Sequence, residues 1–217
     1  MAIQNTLPDP NNKINAAGEI DSSGNAGPGF SAVTVTSKQP ISINRSNSGL
    51  AFRNVSKYQM FSVNISYNKL TKEEFNVVYS FLLEKQASLE AFFVQLPQYG
   101  NSSAGTKNIS ASASAGVNQL ALNNVTDIVP GDLFSVTVPT DDTHVKVYKV
   151  TKINSTSSVI TITPQLQRPI NTASSGVETA NFGVPKMRVT YTGSDIQYSV
   201  DASGLYSFSV KLEETLS

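Results

Sequence analysis

The sequence predicts a mainly β protein: a β-sandwich or barrel-like sheet domain with one flanking α-helix, plus a small inserted antiparallel β-barrel-like domain. Three observations support this class: the composition, several short segments of alternating apolar and polar residues, and one segment with helical spacing. The 217 residues include 29 Ser, 19 Asn and 18 Thr but only 15% charged side chains, where about 25% is usual. Because Ser and Asn favour turns and Thr favours strands, this composition favours β structure.

The clearest strand signal lies between Tyr58 and Leu70. Apolar side chains occupy alternate positions there, and Ser or Asn fill the positions between them. The apolar set is Phe61, Val63, Ile65 and Tyr67. This pattern predicts a strand with one buried face.

A single helix is predicted directly after this strand. Thr71 followed by Glu74 forms a capping box, in which each side chain can bond to the other residue's backbone N–H. Apolar residues then recur at helical spacing: Phe75, Val78, Tyr79, Leu82 and Leu83. We expect an amphipathic helix of about four turns that ends near Gln86 and closes a sheet, with Phe75, Val78 and Leu82 in its core.

The segment Ser37–Asn54 is predicted to form a β-hairpin, because a turn signal at residues 47–49 separates two short apolar patches. The patches are Ile41 with Ile43, and Leu50 with Phe52. We interpret these four residues as candidate assembly contacts.

Domain organisation follows from changes of composition along the chain. Residues 1–30 are rich in Asn, Gly and Pro and predict an extended arm. Residues 31–100 and 184–217 predict one sheet-plus-helix domain, interrupted by a small β domain at 101–183. The Ser- and Gly-rich stretch 98–116 is interpreted as a linker, after which short strands separated by turns predict the inserted barrel, with no helix between 98 and 217.

The composition also restricts the chemistry. No cysteine and one histidine, His144, leave little material for a metal centre or a nucleophilic site. His144 follows Asp141 and Asp142 in a predicted turn, where acidic residues are ordinary. The pairs Glu73–Glu74 and Glu213–Glu214 are also not predicted to form a hydrolytic site. We therefore expect no enzyme activity, no cofactor and no metal.

The charge pattern favours neither nucleic acid nor membrane as a partner. Sixteen basic residues balance sixteen acidic ones, whereas a nucleic-acid-binding domain usually carries a basic excess. No stretch approaches the roughly 18 apolar residues of a membrane span, and the N-terminus lacks the pattern of a signal peptide. A soluble product of a cytoplasm is expected.

The order of several short motifs resembles a known family. A strand runs into Tyr67-Asn68-Lys69-Leu70-Thr71-Lys72-Glu73-Glu74, a helix follows, and then Glu90-Ala91-Phe92-Phe93-Val94. Further on come Pro130-Gly131-Asp132-Leu133-Phe134, Val147-Tyr148-Lys149-Val150-Thr151 and a closing segment, 196–208. Together these resemble the distal tail, tail-tip and related tail-tube proteins of tailed bacteriophages.

This resemblance implies a structural virion protein of the tail that is assembled in the host cytoplasm. Its subunits would form a ring, usually hexameric, at the distal tail, tube end or baseplate hub. The expected partners are further copies of itself and other tail or baseplate proteins, with genomic DNA passing only transiently through the lumen. The arm and the hairpin would make contacts between subunits, and deletion of residues 1–30 is expected to impair assembly while leaving the subunit folded.

Two other functions remain open at this point. A receptor- or carbohydrate-binding tail-associated protein would use exposed aromatic platforms, for which Tyr99, Tyr148 and Tyr191 are candidates. A tail-associated polysaccharide hydrolase would need an acid and a nucleophile in one cleft, and the sequence nominates no such pair.

Overall fold

A computed structural model describes residues 5–9, 27–55, 59–85, 89–137, 145–172, 178–193 and 195–215. Within them lie one α-helix, a short 3₁₀ turn at Pro97–Tyr99 and fourteen strands, which confirms the mainly β prediction. The helix α1 is Lys72–Glu84. The strands are β1 (Phe30–Lys38), β2 (Ile41–Arg45), β3 (Ala51–Val55), β4 (Met60–Leu70), β5 (Phe92–Gln95), β6 (Thr106–Asn108), β7 (Gln119–Ala121), β8 (Leu133–Thr137), β9 (Val147–Asn154), β10 (Val159–Thr163), β11 (Thr179–Asn181), β12 (Lys186–Tyr191), β13 (Tyr198–Val200) and β14 (Tyr206–Glu214).

The chain divides into two compact units, the first of which comprises residues 1–36, 62–95 and 187–215. Its sheet has the order β1-β4-β14-β12-β5, and β13 pairs with β14. In the antiparallel register of β4 and β14, Ile65 lies opposite Val210 and Val63 lies opposite Leu212. All four side chains are at most 1% exposed. The alternation seen in the sequence therefore supplies the apolar face of this sheet.

Helix α1 begins at a complete capping box. The Thr71 hydroxyl accepts a hydrogen bond from the Glu74 backbone N–H, and the Glu74 carboxylate accepts one from the Thr71 N–H at 3.0 Å. The buried stripe of the helix is Phe75, Val78, Phe81 and Leu82. Phe75 stacks on Tyr206 with ring centroids 4.5 Å apart, so the stripe packs on the apolar face of strand β14.

The helix departs from the sequence prediction in two respects. It ends at Glu84, and the predicted end, Gln86, lies outside the described residues. Leu83 is 53% exposed, although its spacing had placed it with the apolar stripe. Successive helical residues are about 100° apart, so burial of Leu82 turns the adjacent Leu83 toward the edge of the stripe.

Residues 5–9, part of the predicted arm, add a short parallel segment beside β5. The Leu7 N–H donates to the Phe93 carbonyl at 2.8 Å, and the Phe93 N–H donates to the Asn5 carbonyl at 2.7 Å. Leu7 and Asp9 are fully buried. This part of the arm therefore belongs to the core of the first unit.

The second unit comprises residues 37–61, 96–186 and 216–217. Its six-stranded sheet has the order β6-β11-β8-β9-β10-β7. The core of this sheet includes Phe134, Ile160 and Phe182, none of which exposes any surface. Phe134 stacks on Phe182 with ring centroids 4.8 Å apart.

Two parts of this second unit differ from the predicted organisation. The sequence predicts a linker at 98–116, but Thr106–Asn108 forms β6 and Ala113 bridges Ile170. It is therefore part of the β domain, because its small residues can still pair through their backbone. Residues 37–61, which the sequence assigned to the sheet-plus-helix domain, group with the second unit, where Gln59 bonds to Ser37, Lys146 and Thr163.

Candidate assembly surfaces

The predicted hairpin is present as the two-stranded sheet β2–β3. Its turn is closed by two backbone bonds of 2.9 Å, from the Ser46 N–H to the Leu50 carbonyl and from the Gly49 N–H to the Ser46 carbonyl. Gly49 has φ of 83°, a left-handed conformation that glycine adopts without a steric penalty. The turn residues therefore fix the register of the two strands.

That register divides the hairpin into two different faces, because paired residues in an antiparallel ladder share a face and neighbours alternate. Ile43 lies opposite Arg53 and Arg45 lies opposite Ala51. We call Ile41, Ile43, Arg45 and Arg53 the basic face. Asn44 lies opposite Phe52, and Leu50 falls on that same side, which we call the aromatic face.

Both faces of the hairpin expose large apolar side chains. Ile41 and Ile43 on the basic face are 57% and 56% exposed, and Leu50 and Phe52 on the aromatic face are 65% and 63% exposed. A two-stranded hairpin is marginally stable by itself, and contiguous exposed apolar surface usually marks an interaction site. The four residues nominated from the sequence therefore lie together in one element but on two opposite sides.

The charged side chains of the hairpin are all basic. Residues 37–55 contain Lys38, Arg45 and Arg53 but no acidic residue. Within the described ranges, no carboxylate forms an ion pair with Arg45 or Arg53. These two arginines are not among the contacts predicted from the sequence, although Arg45 lies four residues from Ile41, an even spacing that puts both on one face of the strand.

A second exposed apolar surface lies at the end of α1. Leu83 is 53% exposed and Leu89 is 73% exposed, and the adjacent Glu84 and Glu90 are also exposed. We call these four residues the helix-end patch. Between them Lys85 is buried, and its ammonium lies 3.4 Å from the Glu90 carboxylate. The patch therefore exposes apolar side chains, and because Lys85 pairs with Glu90, its net negative charge comes from Glu84.

The aromatic platforms of the carbohydrate-binding alternative are mostly inaccessible. Tyr148 is 2% exposed and Tyr191 is 7% exposed, whereas Tyr99 is 38% exposed. The Tyr148 hydroxyl accepts a hydrogen bond from the Gln167 N–H, and the Tyr191 hydroxyl donates to the Asp195 carbonyl. Tyr148 and Tyr191 thus belong to the core. The alternation of apolar and polar residues in the sequence could not show whether their rings are buried or exposed.

The sheet of the first unit also carries a groove of about 500 Å³. Tyr67, Gln197, Tyr198 and Phe208 line it together with five serines from four strands: Ser31, Ser66, Ser199, Ser207 and Ser209. Ser66 lies opposite Ser209, and Ser199 lies opposite Ser207. The groove is the polar face that the alternation of β4 and β14 predicts.

The carboxylate pairs have structural surroundings. Glu74 caps α1, and Glu214 is 1% exposed at the end of β14. The cluster of Asp141, Asp142 and His144 lies outside the described residues. In the ranges that the structure describes, no group of three His, Cys, Asp or Glu side chains could hold a metal ion. Those ranges also contain no helix of the length and apolarity that a bilayer crossing requires.

These features define a class: a β-rich protein with exposed apolar elements. A family model described as the N-terminal part of the A domain of distal tail protein pb9 matches residues 20–99. Over 197 residues the chain is 28% identical to distal tail protein pb9 of Escherichia phage T5, covering 88% of this chain and 94% of the phage protein. Both matches are to distal tail proteins of bacteriophages, which supports the resemblance that the motif order predicted. This similarity supports a structural protein of a phage tail.

Proposed function

We propose that six copies of this protein assemble into a closed ring at the distal end of the phage tail. The genomic DNA would pass through the lumen of this ring. The observation that supports the proposal is the hairpin β2–β3, whose two faces both expose large apolar residues. A ring subunit needs such surfaces, because each copy must bury part of itself against two neighbours. The partners would be identical copies and other tail or baseplate proteins.

The same proposal assigns no catalytic role to the chain. The function would reside in assembly, and the virion tail would be the site of action after assembly in the host cytoplasm. We also propose a division into a sheet-plus-helix domain and an inserted β domain, in which the hairpin contributes to the ring and the inserted domain meets peripheral tail components. The boundaries that we propose for the inserted β domain are 101–183.

The ring proposal is tested by light scattering and negative-stain microscopy of the purified chain. The parent protein should give a closed ring with the mass of six subunits. The variant Ile43→Ser combined with Phe52→Ser should remain folded and lose the ring, because exposed apolar residues contribute to association rather than to folding. Val129→Ser is the matched control, since Val129 is 54% exposed and lies outside the hairpin.

A single outcome decides between this proposal and the glycan-binding alternative. A protein that stays monomeric at all concentrations, and that binds a glycan panel, would overturn the ring and support the alternative. A ring of another number would correct the stoichiometry only.

A further inference from the structure

We propose that the basic face of the hairpin in one copy docks on the helix-end patch of a second copy of this chain. The inference rests on the proposed ring and names the two surfaces that would meet in it. One surface comprises Ile41, Ile43, Arg45 and Arg53, and the other comprises Leu83, Glu84, Leu89 and Glu90. Each combines exposed apolar side chains with charged ones, and the charges on the two surfaces have opposite signs.

The basic face is suited to an acidic, apolar partner. Its two isoleucines are more than half exposed, and its two arginines form no ion pair within the described ranges. Arginine can bond a carboxylate through two N–H groups while its stem covers apolar surface. The aromatic face lacks a charged residue, so the two faces should meet different surfaces.

The helix-end patch is suited to receive cations. The C-terminal end of a helix carries a partial negative charge from its unpaired carbonyls. The last turn of α1 contains no basic residue, and the ammonium of the C-cap residue Lys85 is paired with Glu90. Glu84 adds a full negative charge at this end. An arginine from a neighbouring copy would therefore stabilise both the carboxylate and the helix end.

The other apolar and acidic surface of the first unit is a weaker match. Tyr198 and Val200 on β13 are 48% and 49% exposed. However, the Asp201 carboxylate beside them already accepts hydrogen bonds of 2.8 and 2.9 Å from the Ser203 and Leu205 N–H groups. The Tyr198 ring also packs on Phe75 at 4.8 Å. This surface serves as the control below.

The two proposed surfaces are different parts of the same chain, so their contact is heterologous. A heterologous contact repeated by rotation closes into a ring when the rotation angle fits. The docking would therefore be directional, with each copy offering its hairpin to one neighbour and its helix end to the other.

Cysteine cross-linking tests this contact cleanly, because the parent chain contains no cysteine. Ile43→Cys protein is mixed with tagged Leu83→Cys protein and oxidised with diamide. A disulfide needs Cβ atoms about 4 Å apart, so docking should give a covalent heterodimer of the two variants. A single chain carrying both substitutions should give a ladder of covalent oligomers.

The controls separate this contact from random collision. Phe52→Cys with Leu83→Cys tests the aromatic face, and Ile43→Cys with Val200→Cys tests the β13 surface. Both mixtures should cross-link at least tenfold more slowly. Equal rates in either control, or no cross-link between Ile43→Cys and Leu83→Cys proteins that still form rings, would overturn the docking and leave the ring intact. A parent that never self-associates would overturn both proposals.

Charge reversal provides an independent readout of the same contact. Arg53→Glu or Glu84→Arg alone should raise the apparent dissociation constant of self-association by about twofold to fivefold, the range of an exposed ion pair. The two substitutions combined in one chain should restore it. Additive weakening in the combined variant would contradict a direct pair.

Discussion

The Tyr67 hydroxyl donates a 2.9 Å hydrogen bond to the Pro8 carbonyl. Tyr67 lies on β4, and its ring stacks on Phe208 of β14 with centroids 4.8 Å apart. The bond therefore joins the N-terminal segment to the aromatic core of the first unit. Burial, and secondarily the nearby charge of Asp9, raise the pKa of Tyr67 well above its usual value.

The first prediction follows from that pKa. Folded Tyr67 keeps its proton at a pH where an unfolded tyrosine loses it, so the unfolded state binds fewer protons above about pH 10. The stability contributed by neutral Tyr67 is complete below that pH and is lost as pH rises toward the folded pKa. Tyr67→Phe should flatten the alkaline fall in unfolding free energy and cost about 1 kcal/mol at neutral pH through the lost hydrogen bond.

Urea denaturation at neutral pH and between about pH 9 and pH 11 measures both effects. The control is Tyr198→Phe, because Tyr198 is 48% exposed. Equal alkaline slopes in the parent and in Tyr67→Phe would contradict the assignment.

The second prediction concerns the docked N-terminal segment. Leu7 exposes no surface, so Leu7→Ala should lower the free energy of unfolding by about 2–5 kcal/mol through lost burial and a cavity. Chemical denaturation measures the loss, and Val117→Ala, at a site 37% exposed, should change stability by no more than about 0.5 kcal/mol.

Deletion of residues 1–30 should then destabilise the first unit, contrary to the expectation from the sequence. If the variant lacking residues 1–30 unfolds at the same midpoint as the parent, the expectation that the deletion leaves the subunit folded would stand.

The third prediction concerns the start of α1. Thr71→Ala removes the oxygen that accepts from the Glu74 N–H and should cost about 1 kcal/mol. Thr71→Ser keeps a hydroxyl and should retain most of the stability. Thermal unfolding followed by circular dichroism compares the two variants, and equal midpoints would show that the cap is dispensable.

The fourth prediction concerns a buried lysine of the second unit. Lys146 is 1% exposed, and its ammonium donates to the Gln59 carbonyl at 3.0 Å and lies 5.9 Å from the centre of the Phe61 ring. Lys146→Met keeps the apolar stem but leaves that carbonyl without this donor, which should cost about 1–3 kcal/mol. Lys149→Met, at an exposed position of the following strand β9, is the control. A more stable Lys146→Met variant would show that burial of the charge outweighs its hydrogen bond.

The pattern of residues along the chain was sufficient for elements whose cause is local. The capping box Thr71–Glu74, the alternation that ends at Tyr67 and the turn at Gly49 each depend on neighbours a few residues away. Their backbone hydrogen bonds and side-chain directions are set by spacing alone, and the structure has all three. The family resemblance likewise depended on the order of such local motifs.

Long-range pairing was decided only by the tertiary structure. Leu7 has no periodic neighbours that would mark it as core, and it is buried because Phe93 pairs with its backbone from 86 positions away. Leu83 matched the helical stripe, yet it is exposed because the sheet covers only the side of α1 that carries Leu82. The register of the hairpin places Ile43 opposite Arg53, and this pairing divides the hairpin into two separate surfaces. Sequence spacing fixes which residues share a face, but only the packing of distant strands decides which face is buried and which is left for a partner.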